Sequence, residues 1–325
     1  MTFLARRLLR AILLLLGVSL LCFLFTEIAP GSFFDEMRLN PQISPETIAS
    51  LRSRYGLDQP VVVRYALWMQ SALHGDFGHS IAYNMPVGPL LWARTKNTLL
   101  LTSVAMVLTW LISIPLGVWI AARRDQPLDK AVNLGTSLFV SLPEVVIAVA
   151  LLALVVRWRI VPIGGMHAID SEGLSWWARS QDLATRMLLP VVILVLVESA
   201  IIVRHVRASI LEILNQPFVS AARGLGIGCP RLLFRHVLPA AVNPLISLLG
   251  FSLAGLISGS LLVEVVCGWP GLGPMILEAT FSRDLYIVIA GIMLSALFML
   301  VGNLAADCML LVCDPRIRTG APDAL

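Results

Sequence analysis

Charged residues are scarce in this sequence. Only 14% of its 325 residues are Asp, Glu, Lys or Arg, whereas 58% are hydrophobic, and the mean hydropathy is +0.85. Since a soluble domain carries about 25% charged residues, the composition excludes an ordinary soluble protein. It predicts an integral membrane protein.

Motifs for nucleotide, metal and catalytic chemistry are also lacking. No GxxxxGK[ST] string is present, and the glycine-rich segments GLGIG and GWPGLG lack the lysine of a phosphate-binding loop. The five histidines form no HExxH motif and no i,i+4 pair, and the five cysteines form no CxxC pair. We therefore predict that the chain is not an enzyme and holds no metal, cofactor or nucleic acid of its own.

Long apolar runs dominate what is present. A bilayer core of about 30 Å requires roughly 20 apolar residues per helix, and strands of a transmembrane barrel are only about half that long. Six runs approach this length, and the fourth extends to residue 205 if the Arg204 side chain reaches the headgroups. The six runs are Ala11–Ile28, Leu99–Ala122, Ala131–Val156, Met187–Val203, Leu238–Val263 and Leu285–Val312. The sequence thus predicts an all-α membrane protein with six helices.

The first run is interpreted as an uncleaved helix rather than a signal peptide, because the following TEIAPGS offers no A-x-A cleavage site. The expected organisation is a first helix in 1–28, an outer-face loop domain in 29–96, a helical transmembrane domain in 97–312 and a tail in 313–325.

Basic residues in the short loops set the orientation. With the N-terminus in the cytoplasm, 13 of the 24 Lys and Arg residues fall on the inner side, and both termini are cytoplasmic. These residues are Arg6, Arg7, Arg10, Arg123, Arg124, Lys130, Arg204, Arg207, Arg223, Arg231, Arg235, Arg316 and Arg318.

The long outer loop contains helix signals. Ser44-Pro45 is typical of a helix start, and the helix should end near Gly56. Pro60 should start a second helix, closed at His74-Gly75.

The inner segment FVSAARGLG, which begins at Phe218, interrupts the apolar pattern with small residues and glycines. Small residues on a short helix permit close approach of another surface, and Gly226 suits a helix cap or tight turn. From the residues alone, an ordinary basic loop and a docking site remain equally open.

The spacing in this segment resembles the EAA loop of binding-protein-dependent ABC importer permeases. In that loop an aromatic residue precedes two small residues and an Arg, with a Gly three residues later. The matching residues are Phe218, Ala221, Ala222, Arg223 and Gly226, followed by Arg235 and His236. Ser220 stands at the position that is usually acidic or polar, and Leu225 stands where a basic residue is usual.

Other segments resemble the dipeptide/oligopeptide/nickel branch of that family. They are RYGLDQP (54–60), HGDFGHS (74–80), MPV (85–87), NTLLL (97–101), IPLG (114–117), GWPGLG (268–273) and DPRIR (314–318). APGSF (29–33) departs from the usual Pro-Gly-Asp-Pro.

The resemblance implies a type I importer fold and a bacterial inner-membrane location. It implies that the chain forms half of a translocation pathway with a second permease subunit, either a different chain or a second copy. Two ATPase subunits would bind ATP and Mg²⁺, and a substrate-binding protein outside would deliver the substrate. Di- or oligopeptides are the expected cargo, while nickel chelates and glycosides remain open.

The segment GWPGLG follows the fifth run. Gly268, Pro270, Gly271 and Gly273 oppose a regular helix. The segment is either a simple tight turn or, as we expect, a re-entrant-like turn at the outer mouth of the pathway.

Acidic residues within the apolar runs are expensive in a bilayer and must face protein or water. Asn303 and Asp307 match polar positions of the family and are expected to be structural. Glu144 and Glu198 either pair at a helix interface, are protonated in place, or give the pathway a negative lining.

Two other classes of protein compete with the importer permease. As proton carriers, Glu144 and Glu198 would suit an ion-coupled secondary transporter, although no inverted repeat is present. An intramembrane enzyme is disfavoured because no catalytic pair appears.

Overall fold

The computed structural model describes residues 2–28, 44–54, 58–167, 173 and 175–313. These residues are mostly helical, with one two-stranded antiparallel hairpin and one π-helical segment, Leu233–Val237. In chain order the elements are α1 (Thr2–Ile28), α2 (Pro45–Arg54), α3 (Val61–Leu73), β1 (His79–Ser80), β2 (Met85–Pro86), α4 (Val87–Ala122), α5 (Pro127–Ser141), α6 (Glu144–Trp158), α7 (Trp176–Leu214), α8 (Pro217–Gly224), α9 (Cys229–Leu232), α10 (Leu238–Ala240), α11 (Val242–Cys267), α12 (Leu272–Phe281) and α13 (Leu285–Cys313).

Five helices of the described part are long and apolar enough to cross a membrane, namely α1, α4, α7, α11 and α13. The third predicted run, Ala131–Val156, is not one helix. It falls into α5 and α6, which meet at an angle of 102° and together supply a sixth span if they act as one. The all-α prediction is confirmed, but the prediction of a continuous third helix is wrong.

The break occurs at Leu142-Pro143. Leu142 is extended, with φ −90° and ψ 135°, as expected of a residue that precedes proline. Pro143 then caps the N-terminus of α6, so Glu144 occupies the first turn of a new helix rather than the middle of a long one.

The predicted helices of the outer loop are present. Ser44 caps α2, because its hydroxyl accepts the Thr47 backbone N–H at 3.1 Å. This helix ends at Arg54, while the predicted end at Gly56 lies outside the described residues. Pro60 precedes α3, and Gly75 follows that helix with φ +84°.

The chain divides into two compact units, Met1–Asn97 with Pro270–Leu297 and Thr98–Trp269 with Phe298–Leu325. In the first unit, Phe23, Trp68 and Ile289 form a buried cluster in which α3 packs on α1. The Trp68 indole donates to the Phe77 carbonyl at 3.2 Å, which fixes the chain that leads into the hairpin.

The hairpin of the first unit is anchored by the buried Asp284 carboxylate. That carboxylate accepts the Ser80 hydroxyl at 2.6 Å and the Ala82 N–H at 3.1 Å. The Tyr83 hydroxyl donates to Glu278, and burial together with this bond raises the pKa of Tyr83 to about 12. The hairpin is thus held to α12 through Glu278 and to the segment between α12 and α13 through Asp284.

The second unit contains two buried clusters. The first joins α6, α7 and α11 around residues such as Ala148, Ile193 and Leu256. The second joins the end of α7 to α8 and to the chain that follows, around Val206, Val219 and other apolar residues. With 39 residues, α7 is about 58 Å long, much longer than the predicted 187–205 segment.

Gly117 of α4 marks a close approach to α7. A Cβ at this position would lie 2.6 Å from Val206 Cγ1 and 3.2 Å from the Val203 carbonyl oxygen. Gly117→Ala should therefore lower the melting temperature of the purified protein, with a destabilisation of about 1–3 kcal/mol from overpacking.

The control is Gly135→Ala in α5, where an added Cβ meets nothing within 4 Å. This change should leave the melting temperature unchanged or raise it, because alanine favours a helix by up to about 1 kcal/mol over glycine. Equal melting temperatures for the two variants would contradict the close approach.

Candidate functional site

The inner segment predicted from FVSAARGLG forms α8 and the turn after it. Pro217 occupies the first turn, where its missing N–H costs nothing. The chain then reverses at Gly226, with φ +78°, and the Ile227 N–H donates to the Ala222 carbonyl at 3.2 Å. The predicted short helix and glycine turn are both confirmed.

The two faces of α8 differ in their partners. Val219 and Ala222 are buried and belong to the cluster with Val206 and Ile210 of α7. Ala222, one of the small residues that match the EAA loop, therefore packs against its own chain.

The opposite face of α8 is exposed. Phe218 is 43% exposed and Leu225, the residue that caps the helix, is 82% exposed. With the exposed Ala221 they occupy positions i, i+3 and i+7, which share one face of a helix. Arg223 is also exposed. This apolar face, formed by Phe218, Ala221 and Leu225, is called the α8 stripe below.

The chain that follows the turn returns to the buried cluster. Leu232, Leu233 and Val237 are buried, whereas Arg231 and Arg235 are exposed. His236 is half-buried at the end of the π-helical segment. Arg231, Arg235 and His236 therefore follow the α8 stripe in the chain. Leu232 and Leu233, which lie between them, pack into the buried cluster.

Glu198 of α7 lies against the glycine-containing face of α11. It is 9% exposed, and a Cβ on Gly255 would lie 3.2 Å from one of its carboxylate oxygens. Ser252, one turn earlier on α11, is also buried. The close approach depends on the absence of a side chain at position 255.

Glu144 of α6 lies against Gly259, which is one turn after Gly255 on α11. A Cβ on Gly259 would lie 2.7 Å from both of its carboxylate oxygens. Gly255 and Gly259 share one helix face, so the two carboxylates approach the same side of α11. No ion pair joins either Glu144 or Glu198 to a cation in the described part of the chain.

The GWPGLG segment begins as the C-terminal cap of α11. Gly268 is left-handed, with φ +67°, and the Trp269 N–H donates back to the Glu264 carbonyl at 2.9 Å. The Gly268 carbonyl accepts the Gly165 N–H at 3.0 Å. The turn continues through Pro270 and Gly271, but Gly273 lies in the first turn of α12 rather than in an irregular loop.

The sequence does not predict one ion pair that the second unit contains. Arg207 of α7 donates two hydrogen bonds to Asp129 of α5, each at 2.7 Å. The residues are 78 positions apart, and neither lies in a motif that would have indicated a pair. No group of three or more potential metal ligands occurs among residues 2–28, 44–54, 58–167, 173 and 175–313.

Five apolar helices long enough to cross a membrane, with the short α8 between two of them, are typical of a multi-pass membrane protein. The family described as "Binding-protein-dependent transport system inner membrane component" matches residues 113–319, and its N-terminal counterpart matches residues 1–101. The chain belongs to this family.

Curated relatives match over almost their whole length. The oligopeptide transport system permease protein AppB of Bacillus subtilis is 34% identical over 320 residues, which cover 97% of this chain and 99% of that protein. The dipeptide transport system permease protein DppB of Escherichia coli (strain K12) is 32% identical over 334 residues, which cover 97% and 98% of the two chains.

A solved structure shares the fold. A chain of the inward-facing MetNI methionine ABC transporter aligns with a TM-score of 0.55 and 20% sequence identity. The match covers 69% of this chain and 96% of that chain. The all-α fold of a type I importer membrane domain is thereby confirmed.

Proposed function

We propose that this chain is a permease subunit of a bacterial peptide ABC importer and forms half of its translocation pathway. The observation that carries the proposal is the near full-length similarity to relatives named as oligopeptide and dipeptide permeases, at 34% and 32% identity. Both termini lie in the cytoplasm in this proposal, as the distribution of basic residues indicates.

The proposed importer has further subunits. A second permease subunit completes the pathway, a binding protein delivers the peptide outside, and two ATPase subunits bind ATP and Mg²⁺ inside. This chain holds no nucleotide of its own in the proposal, which rests on the missing GxxxxGK[ST] motif.

The proposed contact with an ATPase subunit is the α8 stripe. Its apolar side chains are exposed, while the other side of α8 is fixed to α7 by Val219 and Ala222. Because one face of α8 is packed against α7, a displacement of α8 by a protein bound to its other face would also displace α7. Arg223, Arg231 and Arg235 provide the charged surroundings, His236 lies beside Arg235 in the chain, and Gly226 supplies the turn.

The proposed role of Glu144 and Glu198 is electrostatic. Neither has a cationic partner in the described residues, so their charge acts on whatever passes nearby. Fixed negative charge between low-dielectric walls attracts cations and repels anions. The GWPGLG segment, with Gly268, Pro270 and Gly271 in its turn and Gly273 at the start of α12, is proposed to border the outer mouth of the same pathway.

The coupling contact is tested by Leu225→Asp in the complete importer. A carboxylate in the centre of an apolar contact must be desolvated, so this variant should insert normally but fail to co-purify with the ATPase subunit. Peptide uptake should be lost as well.

The matched control for this variant is Leu73→Asp. Leu73 is 79% exposed at the end of α3, and this change should leave ATPase binding intact. Normal uptake by the Leu225→Asp variant would show that the α8 stripe is not the contact.

The orientation is tested with reporter fusions. A reporter placed after Arg124 or Arg231 should be active only in the cytoplasm, and one placed after Ser80 or Ser175 only outside. A cytoplasmic signal at Ser80 would overturn the proposed topology from the first outer loop onward.

The charge of the pathway is tested by the Glu144→Gln/Glu198→Gln double variant. It keeps the shape of both side chains and removes their charge, so uptake of cationic relative to neutral peptides should fall by about tenfold. The control is Glu212→Gln at the exposed end of α7, which should not change this ratio. An unchanged ratio in the double variant would restrict Glu144 and Glu198 to helix packing.

A further inference from the structure

The carboxylate of Asp129 is buried at the start of α5, with 2% of the residue exposed. It accepts hydrogen bonds from Arg207 Nε and Nη2 at 2.7 Å each, from Asn133 Nδ2 at 2.7 Å and from the Asp125 N–H at 3.0 Å. Four donors occupy the roughly four lone-pair positions of a carboxylate. The side chain is therefore fixed in one geometry.

These bonds join two helices and the turn before one of them. Asp125 lies in the turn between α4 and α5 with φ +66°, an unfavourable conformation that the bond from its N–H to Asp129 helps to hold. Arg207 lies on α7. The start of α5 is thus attached to α7 by a bidentate ion pair, the geometry that fixes orientation as well as distance.

The same stretch of α7 supports α8. Val206, next to Arg207, and Ile210, one turn later, belong to the cluster that buries Val219 and Ala222 of α8. A displacement of α8 therefore reaches the turn of α7 that holds the ion pair. From there, α5 leads directly to the bend at Leu142-Pro143 and to Glu144 at the start of α6.

We propose that Asp129 and Arg207 are positioning residues for energy coupling: their ion pair makes α5 move together with α7 when an ATPase subunit displaces α8. Breaking a buried pair by removing one partner leaves an uncompensated charge, so the two helices separate only at considerable cost. Without the pair, α8 and α7 move while α5 does not follow, and ATP is hydrolysed without transport. This inference rests on the proposed function.

The test uses the complete importer in proteoliposomes with its binding protein. Asp129→Asn and Arg207→Gln should keep ATP hydrolysis but lower the amount of peptide transported per ATP by about fivefold or more. Arg124→Gln is the matched control, because Arg124 pairs with Asp125 at 3.3 Å in an exposed contact of the same turn. Its transport per ATP should equal that of the wild type.

A crosslinking experiment distinguishes a mechanical connection between α5 and α7 from a general role of the ion pair in folding. The Asp129→Cys/Arg207→Cys double variant is prepared in an importer without other cysteines and treated with a short, reducible bifunctional thiol reagent. Crosslinking should restore transport per ATP, and reduction should abolish it again in the same sample.

Several outcomes of these experiments would contradict the proposed role of the ion pair or the proposed function. Wild-type transport per ATP in Asp129→Asn and Arg207→Gln, or a crosslink that restores nothing, would overturn the proposal. Failure of every variant to assemble would assign the pair to folding alone, which also overturns it. If the wild-type complex itself shows no ATP-driven peptide uptake, the proposed function fails, and that result is distinct from the others.

Discussion

The second unit depends on one face of α11 that carries small residues. Ser252, Gly255 and Gly259 are spaced so that they lie on one side of the helix. Lipid provides no hydrophobic force between helices, so close packing and polar contacts must hold them together. Side chains of three different helices converge on this face, namely Trp110 of α4, Glu198 of α7 and Glu144 of α6. Larger residues on this face would push these helices away.

The sequence predicts the helices well because their apolar runs are long, but it does not predict the bend between α5 and α6. Pro115 and Pro190 lie inside the continuous helices α4 and α7, whereas Pro143 starts a new helix. Each proline removes one backbone donor. Whether the chain then bends depends on the neighbouring helices that satisfy the remaining groups, and a local pattern does not contain those neighbours.

The candidate site shows the same division between local and distant information. The turn at Gly226 is predictable because a single residue and its neighbours determine it. The sequence does not predict whether Ala222 faces its own chain or a partner, because a small residue suits both surfaces equally well. Val219, three residues earlier, is the signal that could have indicated the buried face. The contact between Asp129 and Arg207 joins positions 78 residues apart and depends on how α5 packs against α7.

Asp129, Glu144 and Glu198 of the second unit differ in the groups that surround their carboxylates. Asp129 has a cation and two further donors, so its charge is neutralised where it stands and its geometry is fixed. Glu198 packs against Gly255 of α11, and Glu144 has the first turn of α6, whose N-terminal dipole favours a negative charge. Neither environment neutralises the negative charge of the carboxylate as a neighbouring cation would. We propose that Glu144 and Glu198, held in this way, act on a passing positive charge. Asp129, whose carboxylate is already saturated with donors, serves in this proposal as a fixed point for the helices around it.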